Sequence, residues 1–188
     1  MQKFKKLFTD SLHELKEVRA LAMTAMLLAI AVVLGFYSLQ VTDYIKIGFA
    51  FLADELAGMM FGPVAGGLMG GLADLVKYIV RPTGPFFPGF TISGLAGGLI
   101  YGMVLYKRPL SLKRVVLANG LVTLIVNICM NTYWLTLLYG SAFLAILPAR
   151  IVKEAIMLPI TVVLFYTVAK VLSRANIFAV LRGTKTCP

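Results

Sequence analysis

The stretch ALAMTAMLLAIAVVLGFYSL, residues 20–39, carries no charged side chain. A helix needs about 20 mostly apolar residues to cross the hydrocarbon core of a bilayer. This stretch has that length, which exceeds the apolar region of a signal peptide, and the residues before it are too charged for a signal peptide. It reads as a membrane span. Working outward, five more apolar segments follow: 47–61, 64–80, 90–106, 115–138 and 151–172. The first of these carries Asp54 and Glu55 and is expected to be short, broken or tilted.

The breaks between segments are legible. Gly62-Pro63 reads as a tight turn. The run RPTGPFFPG, residues 81–89, cannot be helical, because its three prolines remove donors and fix φ. Residues 107–114 form a basic loop, and residues 139–149 form an uncharged connection with room for a short interfacial helix. The expected fold is all-α, a compact bundle of six transmembrane helices. One integral membrane domain covers residues 1–188, with a leader (1–19), the bundle (20–172) and a tail (173–188).

Composition agrees. Of 188 residues, 60% are hydrophobic, against roughly 45–50% in soluble domains, and the mean hydropathy is +0.89. The net charge of +10 does not point to nucleic acid, because the basic residues cluster in short loops and tails beside apolar segments. Cytoplasmic loops are enriched in Lys and Arg. With the N-terminus inside, the cytoplasmic segments hold Lys3, Lys5, Lys6, Lys16, Arg19, Lys107, Arg108, Lys113, Arg114, Lys170, Arg174, Arg182 and Lys185. Both termini are therefore expected in the cytoplasm, in a multi-pass protein of the cell membrane. Phe4, Phe8, Leu12 and Leu15 recur at helical spacing in the leader. That stretch reads either as an amphipathic helix on the membrane surface or as a solvated leader that only sets topology. Cys129 and Cys187 form no disulfide or metal pattern.

A charged side chain in a membrane helix is costly and faces a bundle interior or a wet cavity. Asp74 and Lys77 are three apart and share a helix face, with Arg81 at the helix exit. Arg150 and Lys153 repeat that spacing near the start of the last span. Basic groups on the side that the topology rule depletes suit an anionic ligand arriving from outside. Snorkelling, or pairing with Asp43, Asp74 and Glu154, is the plainer account. Asn119, Thr123, Asn127 and Asn131 form a stripe that Trp134 continues. Such a stripe serves as interhelical glue or, at its outer members, as ligand contacts. Phe86 and Phe87 beside Thr83 could cap a flat ring or simply belong to an interfacial belt. Ala22, Ala25 and Ala29 offer a smooth surface for close helix contact, and the glycine pairs 66/70, 67/71 and 94/98 suit tight packing. No HExxH, P-loop or Ser/His/Asp set is present. No metal or cofactor is expected, and any ATP hydrolysis would belong to a partner.

Four stretches are distinctive: LADLVK (72–77), RPTGPFFPGFT (81–91), NTYWL with LYG (131–135, 138–140) and PARIVK (148–153). In these the chain resembles the S components, the substrate-binding membrane subunits, of prokaryotic energy-coupling factor vitamin transporters, specifically the folate-binding ones. The resemblance runs from about Arg19 to Leu172. It implies binding of folate or reduced folate from outside the cell. It also implies a membrane coupling subunit and two cytoplasmic ATPases as partners, with Ala22, Ala25 and Ala29 as the docking face. On this reading Arg81, Arg150 and Lys153 engage the glutamate carboxylates, and Phe86, Phe87 and Trp134 stack on the rings. Asp74 or Asn131 binds the pterin edge, and Lys77 neutralises Asp74. The alternatives are another vitamin (riboflavin, thiamine or biotin), an intramembrane enzyme using Asp54, Glu55 and Asp74, or an interaction subunit with no ligand.

Overall fold

The computed structural model describes residues 2–42, 45–82, 85–140 and 143–174. In chain order the elements are α1 (Gln2–Leu15), α2 (Val18–Phe36), β1 (Leu39–Thr42), β2 (Ile45–Ile47), α3 (Phe51–Val80) and α4 (Pro88–Leu105). A long rod follows: α5 (Leu112–Leu121), a π-helical stretch (Val122–Met130) and α6 (Asn131–Tyr139). The last element is α7 (Phe143–Arg174). Among the described residues, five helices, counting the rod as one, are long and apolar enough to cross a membrane.

α3 is two half-helices rather than one straight rod. Gly62 is non-helical, at φ 89° and ψ −174°, and Pro63 follows it. The halves fold back on each other: a Cβ built on Gly66 would lie 2.8 Å from the Gly58 Cα. Eight residues of straight helix would separate these positions by about 12 Å. The expected turn at Gly62-Pro63 is thus present.

The second half of α3 then runs antiparallel to α4 along a seam of glycines. A Cβ on Gly102 would meet Pro63, one on Gly98 the Gly66 carbonyl, and one on Gly70 the Gly94 carbonyl. The steps are four residues along α4 and three, then four, along α3, so two smooth faces meet backbone to backbone. Most of α3 is buried there, including Ala57, Ala65, Met69 and Ala73.

α1 is an ordered helix that docks on this packed end, where Ser11 is fully buried. Tyr106 donates its phenolic hydrogen to Glu14 Oε1 at 2.7 Å. Lys107 reaches Asp10 at 2.9 Å and Glu14 at 3.6 Å. Burial and the Glu14 hydrogen bond push the Tyr106 phenol up to about 12. Burial alone would lower the Lys107 ammonium, but its bonds to Asp10 and Tyr106 outweigh that and raise it above its ordinary value. Tyr106 therefore stays neutral and Lys107 stays charged across neutral pH.

Three expectations need correction. Pro88 and Gly89, expected to be non-helical with the rest of 81–89, open α4, because a proline in the first turn gives up an N–H that has no helical partner there. Leu39 and Ile47, expected to end one span and begin the next, instead pair with each other in a hairpin, with Gln40 opposite Lys46. Apolar residues at 39, 41, 45 and 47 alternate, the period of a strand. α7 starts at Phe143, inside the expected connection, because Pro148 removes only one donor near the helix start. Arg150 and Lys153 therefore sit about two and three turns into the helix.

Candidate functional site

The two halves of α3 differ in length, and the difference makes space. Residues 51–61 rise about 16 Å, whereas residues 63–80 rise about 27 Å. The first half stops short, and the chain leading into it is the hairpin. Beyond Phe51 lies a cavity of about 410 Å³, walled by α2, α3, the start of α4, the rod and α7. That volume suits a small organic ligand.

Four basic side chains line it: Lys77, Arg81, Arg150 and Lys153. Each is held. Lys77 lies 3.8 Å from Asp54 on the other half of α3, and its stem packs over Gly35, which has no side chain to displace it. The expected pairing of Lys77 with Asp74 is thus replaced by one across the turn. Asp74 Oδ2 instead accepts a hydrogen bond from Thr91 at 2.8 Å. Arg81 donates to the Phe36 carbonyl at 2.6 Å, and Arg150 to the Asn127 carbonyl at 2.9 Å. Lys153 contacts Glu154 at 2.6 Å, and the far oxygen of Glu154 accepts from Asn127 at 3.2 Å. A buried ion needs such partners, because desolvation otherwise drives it out of the bilayer interior. Held rigidly, the same groups form a pre-organised basic lining.

The π-helical stretch sets the polar stripe. In an α-helix each step of four residues turns the face by about 40°, so a period-four stripe would wind away. The wider π turn, bonded i to i+5, counteracts that drift. Asn127 and Asn131 both reach the cavity, with Asn131 Nδ2 donating to Asn127 Oδ1 at 3.4 Å. Asn131 Oδ1 is buried and accepts no hydrogen bond from the described residues, an open acceptor beside the space. Asn119 serves the plainer purpose: it is buried and ties Glu55 at 2.8 Å to Tyr101 at 3.3 Å.

The aromatic residues pack in two sets. Phe86 packs on Tyr78 at 5.0 Å and Phe87 on Phe90 at 6.1 Å. Trp134 is outside the lining. It stands against Phe87 at 5.6 Å and donates its indole N–H to Ser93 at 3.1 Å. Of the expected site residues, Asp74, Lys77, Arg81, Phe86, Phe87, Asn131, Arg150 and Lys153 line one cavity. Thr83 and Asp43 lie outside the described residues.

Sequence reasoning missed Phe36, Phe51, Tyr78, Phe90 and Tyr139 as lining residues. Only Tyr78, next to Lys77 on a helix already marked by charge, gave a usable signal. Asp54, Glu55 and Asp74, the acids of the enzyme alternative, are held by Lys77, Asn119 and Thr91 respectively. Ala22, Ala25 and Ala29 are all exposed on α2, while Ala20, Leu27 and Ala31 of the same helix are buried.

Comparison with known proteins agrees with this architecture. The family described as "ECF transporter, substrate-specific component" matches residues 19–169. The folate transporter FolT of Clostridium novyi (strain NT) is 40% identical over 164 residues, covering 87% of this chain and 95% of its own length. The folate transporter FolT of Leuconostoc mesenteroides is 34% identical over 156 residues, covering 80% of this chain and 84% of its own. The crystal structure of FolT bound with folic acid superposes with a TM-score of 0.76 at 35% identity, covering 81% of this chain and 93% of that one.

Proposed function

We infer the function from one premise: this chain belongs to the substrate-specific components of ECF transporters. It is a substrate-binding transport subunit, not an enzyme, and its substrate is folate. The observation that carries the reading is the cavity of about 410 Å³, lined by four basic side chains and by Phe86 and Phe87, in a chain similar to FolT over nearly its whole length. Folate is a flat aromatic system ending in two carboxylates, and both chemistries have partners there. No comparable signal favours riboflavin, thiamine or biotin.

Arg81, Arg150 and Lys153 are proposed to bind the carboxylates, by charge-assisted hydrogen bonds. Phe86 and Phe87 stack on the rings, and Trp134 acts through Phe87 by fixing its plane. Asp74 and the open Asn131 carbonyl accept from the amino and N–H groups of the pterin. Lys77, tied to Asp54, contributes potential.

The two halves of α3 count as two crossings on this reading, giving six, with both termini in the cytoplasm. The first half is too short to span alone, and the hairpin completes that crossing. The exposed alanine face of α2 is the docking surface for a membrane coupling subunit, which brings two ATPases. Ala25→Leu should then leave folate binding by the isolated protein unchanged and abolish ATP-driven uptake with the coupling module. Calorimetry of the detergent-purified protein with folic acid and 5-formyltetrahydrofolate tests the substrate, with riboflavin, thiamine and biotin as controls. Saturable binding of folates alone is expected. Binding of another vitamin instead would overturn the assignment.

A further inference from the structure

The turn between the halves of α3 is closed by a residue from another helix. Breaking a helix at Gly62 strands the Phe61 carbonyl and the first N–H groups of the next helix. Ser11 of α1 meets these groups with one oxygen. Its Oγ donates to the Phe61 carbonyl at 2.7 Å and accepts from the Val64 and Ala65 amides at 3.2 and 3.4 Å. Gly62 keeps this seat open, since a Cβ there would lie 2.7 Å from Ser11 Oγ, and its φ of 89° disfavours any other residue. Glu14 and Asp10, through Tyr106 and Lys107, hold α1 in register on the corner after α4.

The same two halves are joined again at the cavity. Asp54 belongs to one and Lys77 to the other, 3.8 Å apart, and both Lys77 and Phe51 line the cavity. A cap at the turn and an ion pair near the cavity thus act on one angle. We propose that Ser11 is a positioning residue for substrate binding: by capping both sides of the break, it fixes the angle between the halves of α3 and hence the placement of Phe51 and Lys77 in the cavity. The inference rests on the folate reading for its ligand. Ser11 itself is far from the cavity and touches no substrate.

A double-mutant cycle in folic acid affinity tests it, using the parent, Ser11→Ala, Asp54→Asn and the double variant. Ser11's contacts lie about 10 Å along the helix from Asp54, and sites that far apart without shared partners normally act additively. The expected result is a five- to tenfold weaker Kd for Ser11→Ala, with the double variant at least threefold tighter than the product of the single effects. An Ser11→Ala protein with parental affinity, or effects that simply multiply, would overturn the proposal. Should Ser11→Ala not survive purification, Ser11→Cys runs the same cycle with the volume kept and the hydrogen bonds weakened.

A ligand-free readout separates this inference from the substrate assignment. Hydrogen exchange should speed up about tenfold or more at residues 51–56 of the Ser11→Ala protein, at the cavity end of the short half. Acceleration confined to residues 61–65 would mean a local cap only, and would sink the proposal. A parent protein that fails to bind any folate would overturn the substrate assignment, leaving the exchange experiment to decide the role of Ser11.

Discussion

The turn at the middle of α3 and its cavity end solve opposite problems. At the turn, three backbone segments meet so closely that Gly58, Gly66 and Gly98 admit no Cβ without displacement. At the cavity end, the same helix carries Asp74, Lys77 and Arg81 into an open cavity. Small residues there would have let the bundle close. Long charged side chains, each bound to a neighbouring carbonyl or acid, keep the walls apart and polar. The comparison teaches that emptiness in a membrane bundle has to be built. Here it comes from a half-helix that stops early and from ions whose partners are fixed.

Four substitutions break or sharpen that contrast. The largest effect is expected at the seam. Gly98→Leu would drive a side chain into the Gly66 backbone, and overpacking is costly when the obstacle cannot rotate away. Loss of folded, monodisperse protein in size-exclusion chromatography is the outcome, and a well-folded variant would show the seam to be looser than described. Next comes the cavity. Arg150→Met removes a charged donor, of a kind worth about 1.5–3 kcal/mol, so folate affinity by calorimetry should fall about 10- to 100-fold in protein that still folds.

Trp134→Ala lies one layer further out. An aromatic pair contributes about 0.5–1.5 kcal/mol, so a loss of about 3- to 10-fold is expected. Unchanged binding would remove Trp134 from the site. The smallest effect returns to α3 itself. At Gly71 an added Cβ finds only ordinary contacts from 3.8 Å outward, and Ala is a better helix former than Gly by about 1 kcal/mol. Gly71→Ala should raise Tm by about 2–4 °C and leave folate affinity alone. A drop in Tm would mean that the seam extends further around the helix.

Much of the site was legible because charge in an apolar helix is conspicuous. Lys77, Arg81, Arg150 and Lys153 stand out for the cost of burying them, and all four reach one cavity. Phe36 and Phe51 were not legible. A phenylalanine that faces a cavity and one that faces lipid look alike in sequence, since both environments accept an apolar ring. The partners of the charges were equally hidden. Spacing of three pointed Lys77 to Asp74 on its own helix, but the turn at Gly62 brings Asp54 close instead.

By itself the sequence determined that the chain lives in a membrane, where it breaks, which faces are smooth and which residues are too polar to meet lipid. These follow from transfer energies and backbone geometry, which act residue by residue. Tertiary structure alone decided that a serine in the leader caps a turn fifty residues away, that a strand-like stretch folds into a hairpin, and that one half of α3 ends early enough to leave a cavity. Those depend on which surfaces meet after folding. Helical spacing governs neighbours three or four residues apart, and it carries no information about partners brought together by a turn.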